Sequence, residues 1–196
     1  MKAGGAAVAL LVGLFAVAGA RAAEGDMSLG DPKAPVTVVE YASVGCSHCA
    51  AWANTVFPAF RQKFIDTGKV RFVFREMLTG DPALAAAGFL TARCAGPAKY
   101  FQVVEAVFAD QDEIVGRDAA PVLARIAKDA GLPEERFLAC IRDETALKAL
   151  QTRTAAVAGA NHITGTPTFV VGREKLQGEQ SLTALDAAIA RAARRR

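Results

Sequence analysis

Hydrophobic and polar positions change period along the chain. Val36-Thr37-Val38-Val39-Glu40-Tyr41 is rich in β-branched residues and has the length of a strand. After it, Cys49, Trp52, Ala53, Val56, Phe57, Phe60 and Phe64 recur at helical spacing, which predicts a helix from about Cys46 to Thr67. Pro58 lies inside that pattern, where it removes a backbone donor and is expected to kink the helix. Gly68 supplies the stop. Val70-Arg71-Phe72-Val73-Phe74-Arg75-Glu76 then alternates at its start, as a strand with one packed face does. The result is strand, helix, strand.

From Gly80 to about Asn161 the period is helical throughout. Asp81-Pro82 reads as an N-cap with proline at the first helical position, opening an alanine-rich helix through Cys94. Pro97 starts another, with Tyr100, Phe101, Val104 and Phe108 on one face, and Asp118 to Ala130, Pro133 to Cys140 and Asp143 to Ala158 follow. With no strands between them, these helices are expected to pack as one unit. The strand pattern returns at Thr168-Phe169-Val170-Val171, Arg173 to Gln177 reads as a further short strand, and Ser181 caps a last helix with Leu182, Leu185, Ala188 and Ile189 on one face. This order is that of an α/β thioredoxin fold with an inserted all-helical subdomain. It divides the chain into 23–79, the insertion 80–161, and 162–196.

The first 22 residues read as an address. Lys2 gives a positive start, Ala6 to Val17 is apolar apart from Gly13, and Ala20-Arg21-Ala22 has the small-x-small pattern of a signal-peptidase site, so cleavage is expected near Ala22. The alternative, an uncleaved anchor, has an apolar run short for a bilayer span. Export places the protein in an oxidising compartment, the periplasm, where cysteine pairs persist. Glu24 to Pro35 is polar and rich in turn residues, and reads as a leader into the first strand.

Charge narrows the function classes. Loss of Lys2 and Arg21 takes the formal net charge from +3 to +1, and the four arginines at 191, 194, 195 and 196 leave the body at −3. A body without a basic surplus argues against nucleic-acid binding. The arginine tail suits a solvated helix C-terminus.

The chemistry centres on Cys46-Ser47-His48-Cys49, which opens the first predicted helix. Unpaired N–H groups and the partial positive charge of a helix N-terminus favour the thiolate of Cys46, the form that attacks a disulfide. Zinc requires four ligands, and the remaining Cys94, Cys140, His48 and His162 include no second close pair, so no metal site is expected. Haem attachment requires His after the second cysteine, where Ala50 stands. A static short-loop disulfide is the bland alternative to redox chemistry. Cys94 and Cys140, left over from an even count in an oxidising compartment, are expected to pair within the insertion, against the alternative of two buried thiols.

Glu40 six residues before Cys46, the Cys-Ser-His-Cys motif, the helical insertion and Gly-Thr-Pro-Thr-Phe-Val-Val at 165–171 together resemble the DsbA family of exported thiol-disulfide oxidoreductases, over nearly all of the mature chain. The resemblance implies Cys46 as the exposed nucleophile and Cys49 as the buried partner that resolves the mixed disulfide. It implies His48 as a group that donates to, or by charge stabilises, the Cys46 thiolate, and Pro167 as a cis-proline facing the motif. Glu40 matches an interior acid acting on the buried cysteine, against the alternative of a solvated glutamate. Ser47 and Thr166 match substrate-contacting positions, and both depart from the best-known members, which carry proline and valine there; threonine also occurs in the related isomerases. Those isomerases carry an N-terminal dimerisation domain, whereas about a dozen residues precede the first strand here.

The expectation is therefore a monomeric periplasmic dithiol oxidase with no cofactor. It would act on reduced or partly folded exported proteins and be recharged by a membrane partner resembling DsbB. An isomerase or reductase, and a binding module with a static disulfide, are the alternatives.

Overall fold

The computed structural model describes residues 25–195; the predicted signal peptide lies outside the described residues. Strands β1 (Met27–Leu29), β2 (Val36–Ala42), β3 (Val70–Glu76), β4 (Thr168–Val171) and β5 (Glu174–Gln177) form one sheet in the order β1-β3-β2-β4-β5. β2 and β3 are parallel and the other pairs antiparallel. The polar leader thus contains a strand: β1 pairs along β3 from Met27 opposite Phe74 to Leu29 opposite Phe72. A three-residue edge strand is too short to show its period in the sequence.

Alternation along the central strands sorts the side chains onto two faces. Val36, Val38 and Ala42 of β2, Val70, Phe72 and Phe74 of β3, and Phe169 and Val171 of β4 enter the main core. Val39, Tyr41 and Val73 turn to the opposite face, beneath Val157, Ala158 and Ile163.

The first long helix is interrupted two residues before Pro58. Helix α1 (Ser47–Thr55) ends at Val56, whose φ of −110° departs from helical geometry, and α2 (Phe57–Phe60) starts anew with Pro58 in its first turn. There proline's missing N–H would have had no partner in any case. A π-helical turn, Arg61–Ile65, completes the segment.

Between β3 and β4 run α3 (Pro82–Cys94), α4 (Tyr100–Ala109), α5 (Gln111–Ile114), α6 (Ala120–Asp129), α7 (Glu134–Ile141) and α8 (Glu144–Asn161), and α9 (Leu182–Arg194) closes the chain. Asp81 caps α3 by accepting from the N–H groups of Ala83 and Leu84 at 3.0 and 3.1 Å, as the Asp-Pro pair predicts. Helix α4 begins after Lys99 rather than at Pro97, because Gly96, at φ +87°, ends α3 in a turn closed by the Lys99 N–H.

Two devices fasten the helices to one another and to the sheet. Glu76, buried at the end of β3, accepts from Arg93 of α3 at 2.7 and 2.8 Å, from Arg153 of α8 at 2.6 Å and from the Tyr100 hydroxyl of α4 at 2.9 Å. Cys94 and Cys140 form a disulfide joining α3 to α7, with Cα atoms 6.3 Å apart.

Candidate active site

The antiparallel pairing of β2 with β4 sets Tyr41 opposite Thr168, so the end of β2 and the start of β4 meet at one edge of the core. Four residues beyond β2 is Cys46, and immediately before β4 is Pro167, whose peptide bond with Thr166 is cis. The Cys46 thiol lies 3.5 Å from the Thr166 carbonyl oxygen, to which it donates when protonated.

The turn carrying Cys46 is held by the loop after β3. Ser43 donates to the Thr79 carbonyl at 2.8 Å, and the Asp81 N–H donates to the Gly45 carbonyl at 2.9 Å. Backbones approach so closely that a Cβ on Gly45 would overlap the Asp81 carbonyl, and one on Gly80 would overlap that of Gly45. Thr79 also hydrogen-bonds Thr166, hydroxyl to hydroxyl, at 2.7 Å.

The two motif cysteines occupy opposite environments. Cys46 is the N-cap of α1 and 8% exposed, whereas Cys49, one turn inside, is fully buried. The Cys49 thiol donates to the Cys46 sulfur, the largest of several influences that bring Cys46 from 9.0 down to about 5; partial burial opposes it, while the Thr166 side chain and the backbone N–H groups of Cys49 and His48 add to it. Burial pushes Cys49 far upward, reinforced by its bond to Cys46 and by the charge of Glu40. One sulfur is a thiolate at neutral pH and its neighbour a thiol.

Glu40 is 3% exposed, in the interior beneath the motif. Burial raises its titration well above the ordinary carboxyl range, and the Cys46 thiolate raises it further. His48 is exposed, and its Nδ1 lies 2.6 Å from the Glu179 carboxylate rather than on Cys46; that hydrogen bond, with the accompanying charge, raises its titration. Ser47 is exposed beside it, Thr166 half-buried and Pro167 buried.

The structure thus gathers Cys46, Cys49, Glu40, Thr166 and Pro167, with Ser47 and His48 on the rim. Cys94 and Cys140 lie in the insertion, bonded to each other. Sequence reasoning missed Thr79 and Glu179. Glu179 is placed by Trp52, whose indole N–H donates to the adjacent Gln180 carbonyl at 2.9 Å, docking the loop before α9 across α1. No signal in the sequence pairs residues 48 and 179.

A parallel–antiparallel sheet, a Cys-x-x-Cys at a helix N-terminus and a cis-proline against the first sulfur define a thioredoxin-fold protein as the class. The family model described as Thioredoxin matches residues 22–191. The chain is 33% identical over 171 residues to a Rickettsia felis protein named, by inference, a protein-disulfide oxidoreductase; the match covers 86% of this chain and 60% of that protein. It therefore spans about three-fifths of that relative's length. Among solved structures, Wolbachia pipientis alpha-DsbA1 superposes with a TM-score of 0.78 at 26% identity, covering 89% of this chain and 94% of that one. BdbD from Bacillus subtilis, at a TM-score of 0.77 and 23% identity over 87% of this chain and 94% of its own, shares the fold. The chain belongs to the thioredoxin family, and its fold is the one seen in the DsbA proteins.

Proposed function

We propose that the protein is a periplasmic dithiol oxidase that passes a Cys46–Cys49 disulfide to exported proteins as they fold. The reading rests on the asymmetry of the two cysteines: Cys46 titrates at about 5 while burial holds Cys49 as a thiol. A thiolate so stabilised exists only in the reduced form, so the site favours its own reduction and hence the oxidation of its substrate. In the forward step a substrate thiolate attacks Cys46, the Cys46–Cys49 bond breaks, and Cys49 leaves and takes up a proton. A second substrate thiolate then displaces Cys46, which leaves readily because its thiolate is stable. Thr166 and Pro167, at the start of β4, would meet an extended substrate, with Ser47 and His48 at the rim. A membrane reoxidase resembling DsbB would restore the disulfide, and the protein would act as a monomer. The Cys94–Cys140 disulfide, remote from the site, would be structural.

Oxidation of a reduced dithiol peptide, scored by mass spectrometry, tests the reading. Cys46→Ala should abolish turnover, and Cys49→Ala should accumulate mixed disulfides through Cys46 because the resolving thiol is gone. Undiminished turnover by Cys46→Ala would remove the proposal, and mixed disulfides through Cys94 or Cys140 would move the site. The reduction potential with the in-cell redox state separates oxidase from isomerase or reductase: a pair held reduced in the cell would favour the latter. No turnover at all by the native protein would leave the binding module with a static disulfide.

A further inference from the structure

Thr79, in the loop after β3, is anchored to the turn that carries Cys46. The buried Ser43 hydroxyl donates to the Thr79 carbonyl at 2.8 Å and accepts from its N–H at 3.4 Å, and the same hydroxyl accepts from the Gly45 N–H at 3.1 Å. The Thr79 hydroxyl itself lies 2.7 Å from that of Thr166, and either oxygen can be the donor. Thr166 in turn has its carbonyl 3.5 Å from the Cys46 sulfur, and its side chain hydrogen-bonds the Cys46 thiolate. The contacts close a ring, Cys46 to Gly45 to Ser43 to Thr79 to Thr166 and back to Cys46.

A threonine hydroxyl has one proton to give and two lone pairs with which to accept, whereas a thiolate only accepts. While Thr166 gives its proton to the sulfur it has none for Thr79, so the contact between the two hydroxyls must then run from Thr79 to Thr166. We propose that Thr79 is a positioning residue for the exchange reaction: by donating to Thr166 it turns the Thr166 proton onto the Cys46 sulfur whenever that sulfur is charged. This rests on the exchange activity proposed above. Donation into the Thr166 oxygen polarises its O–H bond and strengthens the bond to sulfur, as hydrogen bonds in a chain do. In the disulfide the sulfur carries no charge and accepts weakly, and the Thr166 proton is free to turn to Thr79. The chain therefore favours the reduced form. It also favours the step in which a second substrate thiolate attacks the substrate sulfur of the mixed disulfide: the substrate disulfide forms, the bond to Cys46 breaks, and its electron pair stays on Cys46. Both hydroxyls keep their protons throughout.

The titratable groups coupled to Cys46 are Cys49 and His48 of α1 and Glu40 of β2. Asp81, in the loop packed on Gly45, turns its carboxylate to the Ala83 and Leu84 N–H groups. Thr79→Val leaves all of them in place and exchanges a hydroxyl for a methyl group of similar size, so a change in Cys46 reports hydrogen bonding rather than charge.

The test is the thiolate absorbance of the reduced protein against pH, with the equilibrium of the redox pair against glutathione. Thr79→Val should raise the Cys46 titration by about half a pH unit and lower the equilibrium constant for reduction about threefold, the size of one cooperative neighbour in a chain that ends on a charge. Thr79→Ser keeps the hydroxyl and should keep the native values. In a Thr166→Val background, Thr79→Val should shift Cys46 no further, because the two residues act in series. Thr79→Ala carries the same test if Thr79→Val does not fold. An unchanged Cys46 without the Thr79 hydroxyl, a shift that Thr79→Ser shares, or a shift of equal size in the Thr166→Val background would overturn the proposal. Absence of exchange by the native protein, or exchange by Cys46→Ala, would instead overturn the activity on which it rests; the titration is read without turnover, so the two failures are distinct.

Discussion

Cys46 carries the largest consequence at the scale of single residues. A thiol brought from 9.0 to about 5 is ionised at pH 7, and against a thiol that would otherwise be protonated this favours the reduced form by about 3 kcal/mol, or about 60 mV toward oxidant. The advantage is complete above pH 9, shrinks as pH falls from 9 toward 5, and is gone below 5. The small disulfide loop opposes it by constraining the unfolded chain by about 2 kcal/mol at all these pH values. The reduced form is therefore expected to melt above the disulfide form at pH 7 to 8, and the order to invert below about pH 6.5, where the thiolate advantage falls under the loop's ~2 kcal/mol. Thermal scans of the two forms, with thiolate absorbance followed against pH, measure both, and a disulfide form that melts higher at every pH would contradict the thiolate account. His48 belongs to the same scale: Glu179→Gln should return its titration toward the ordinary imidazole value of 6.5 in an NMR pH series.

Helix α1 presents its N-terminus only because the elements around it fit closely. The turn from Ser43 to Cys46 is pressed against the loop from Thr79 to Asp81, and Gly45 meets the Asp81 carbonyl where no side chain has room. Its φ is not in the left-handed region, so the requirement is for space rather than for backbone freedom. Gly45→Ala is expected to destabilise the fold by about 1–3 kcal/mol, as overpacking does, and to displace Cys46 from Thr166, raising the Cys46 titration. Urea titration and thiolate absorbance on the same variant check the two effects, and loss of stability with an unchanged Cys46 would separate the loop from the site.

At the scale of the molecule, the sheet and the inserted helices are joined through buried charge and sulfur. Cys94 and Cys140, 46 positions apart, close a loop whose restriction of the unfolded chain corresponds to about 4 kcal/mol. The double replacement Cys94→Ala with Cys140→Ala should lower the denaturation midpoint by that order, with Cys46 still titrating near 5. Glu76 is the second joint: Glu76→Leu leaves Arg93 and Arg153 without their partner and should cost about 3–5 kcal/mol, read by calorimetry. Similar stability of Glu76→Leu and the native chain would mean that solvent satisfies both guanidinium groups.

Much of this was legible in order along the chain. The β-branched run at 36–41, alternation at the start of 70–76, period 3.6 between them and through the insertion, the Asp81-Pro82 cap and the Cys46–Cys49 spacing are all local, and the physics that reads them acts within one or two turns. From these the sequence by itself determined the thioredoxin-like order of elements, a Cys-x-x-Cys at a helix start and the proline that stands before β4. The three-residue β1 and the break at Val56 escaped because one is shorter than its own period and the other depends on where proline's missing N–H costs least. The tertiary structure alone decided what each site residue faces. Glu40 is a buried acid rather than a solvated one because Phe74 and Phe169 flank it and α1 covers it. His48 meets Glu179 because Trp52 docks a loop 128 residues away. Thr79 reaches Thr166 for the same reason: charge, hydrogen bonding and exclusion of water act through space between residues whose separation in the chain carries no period.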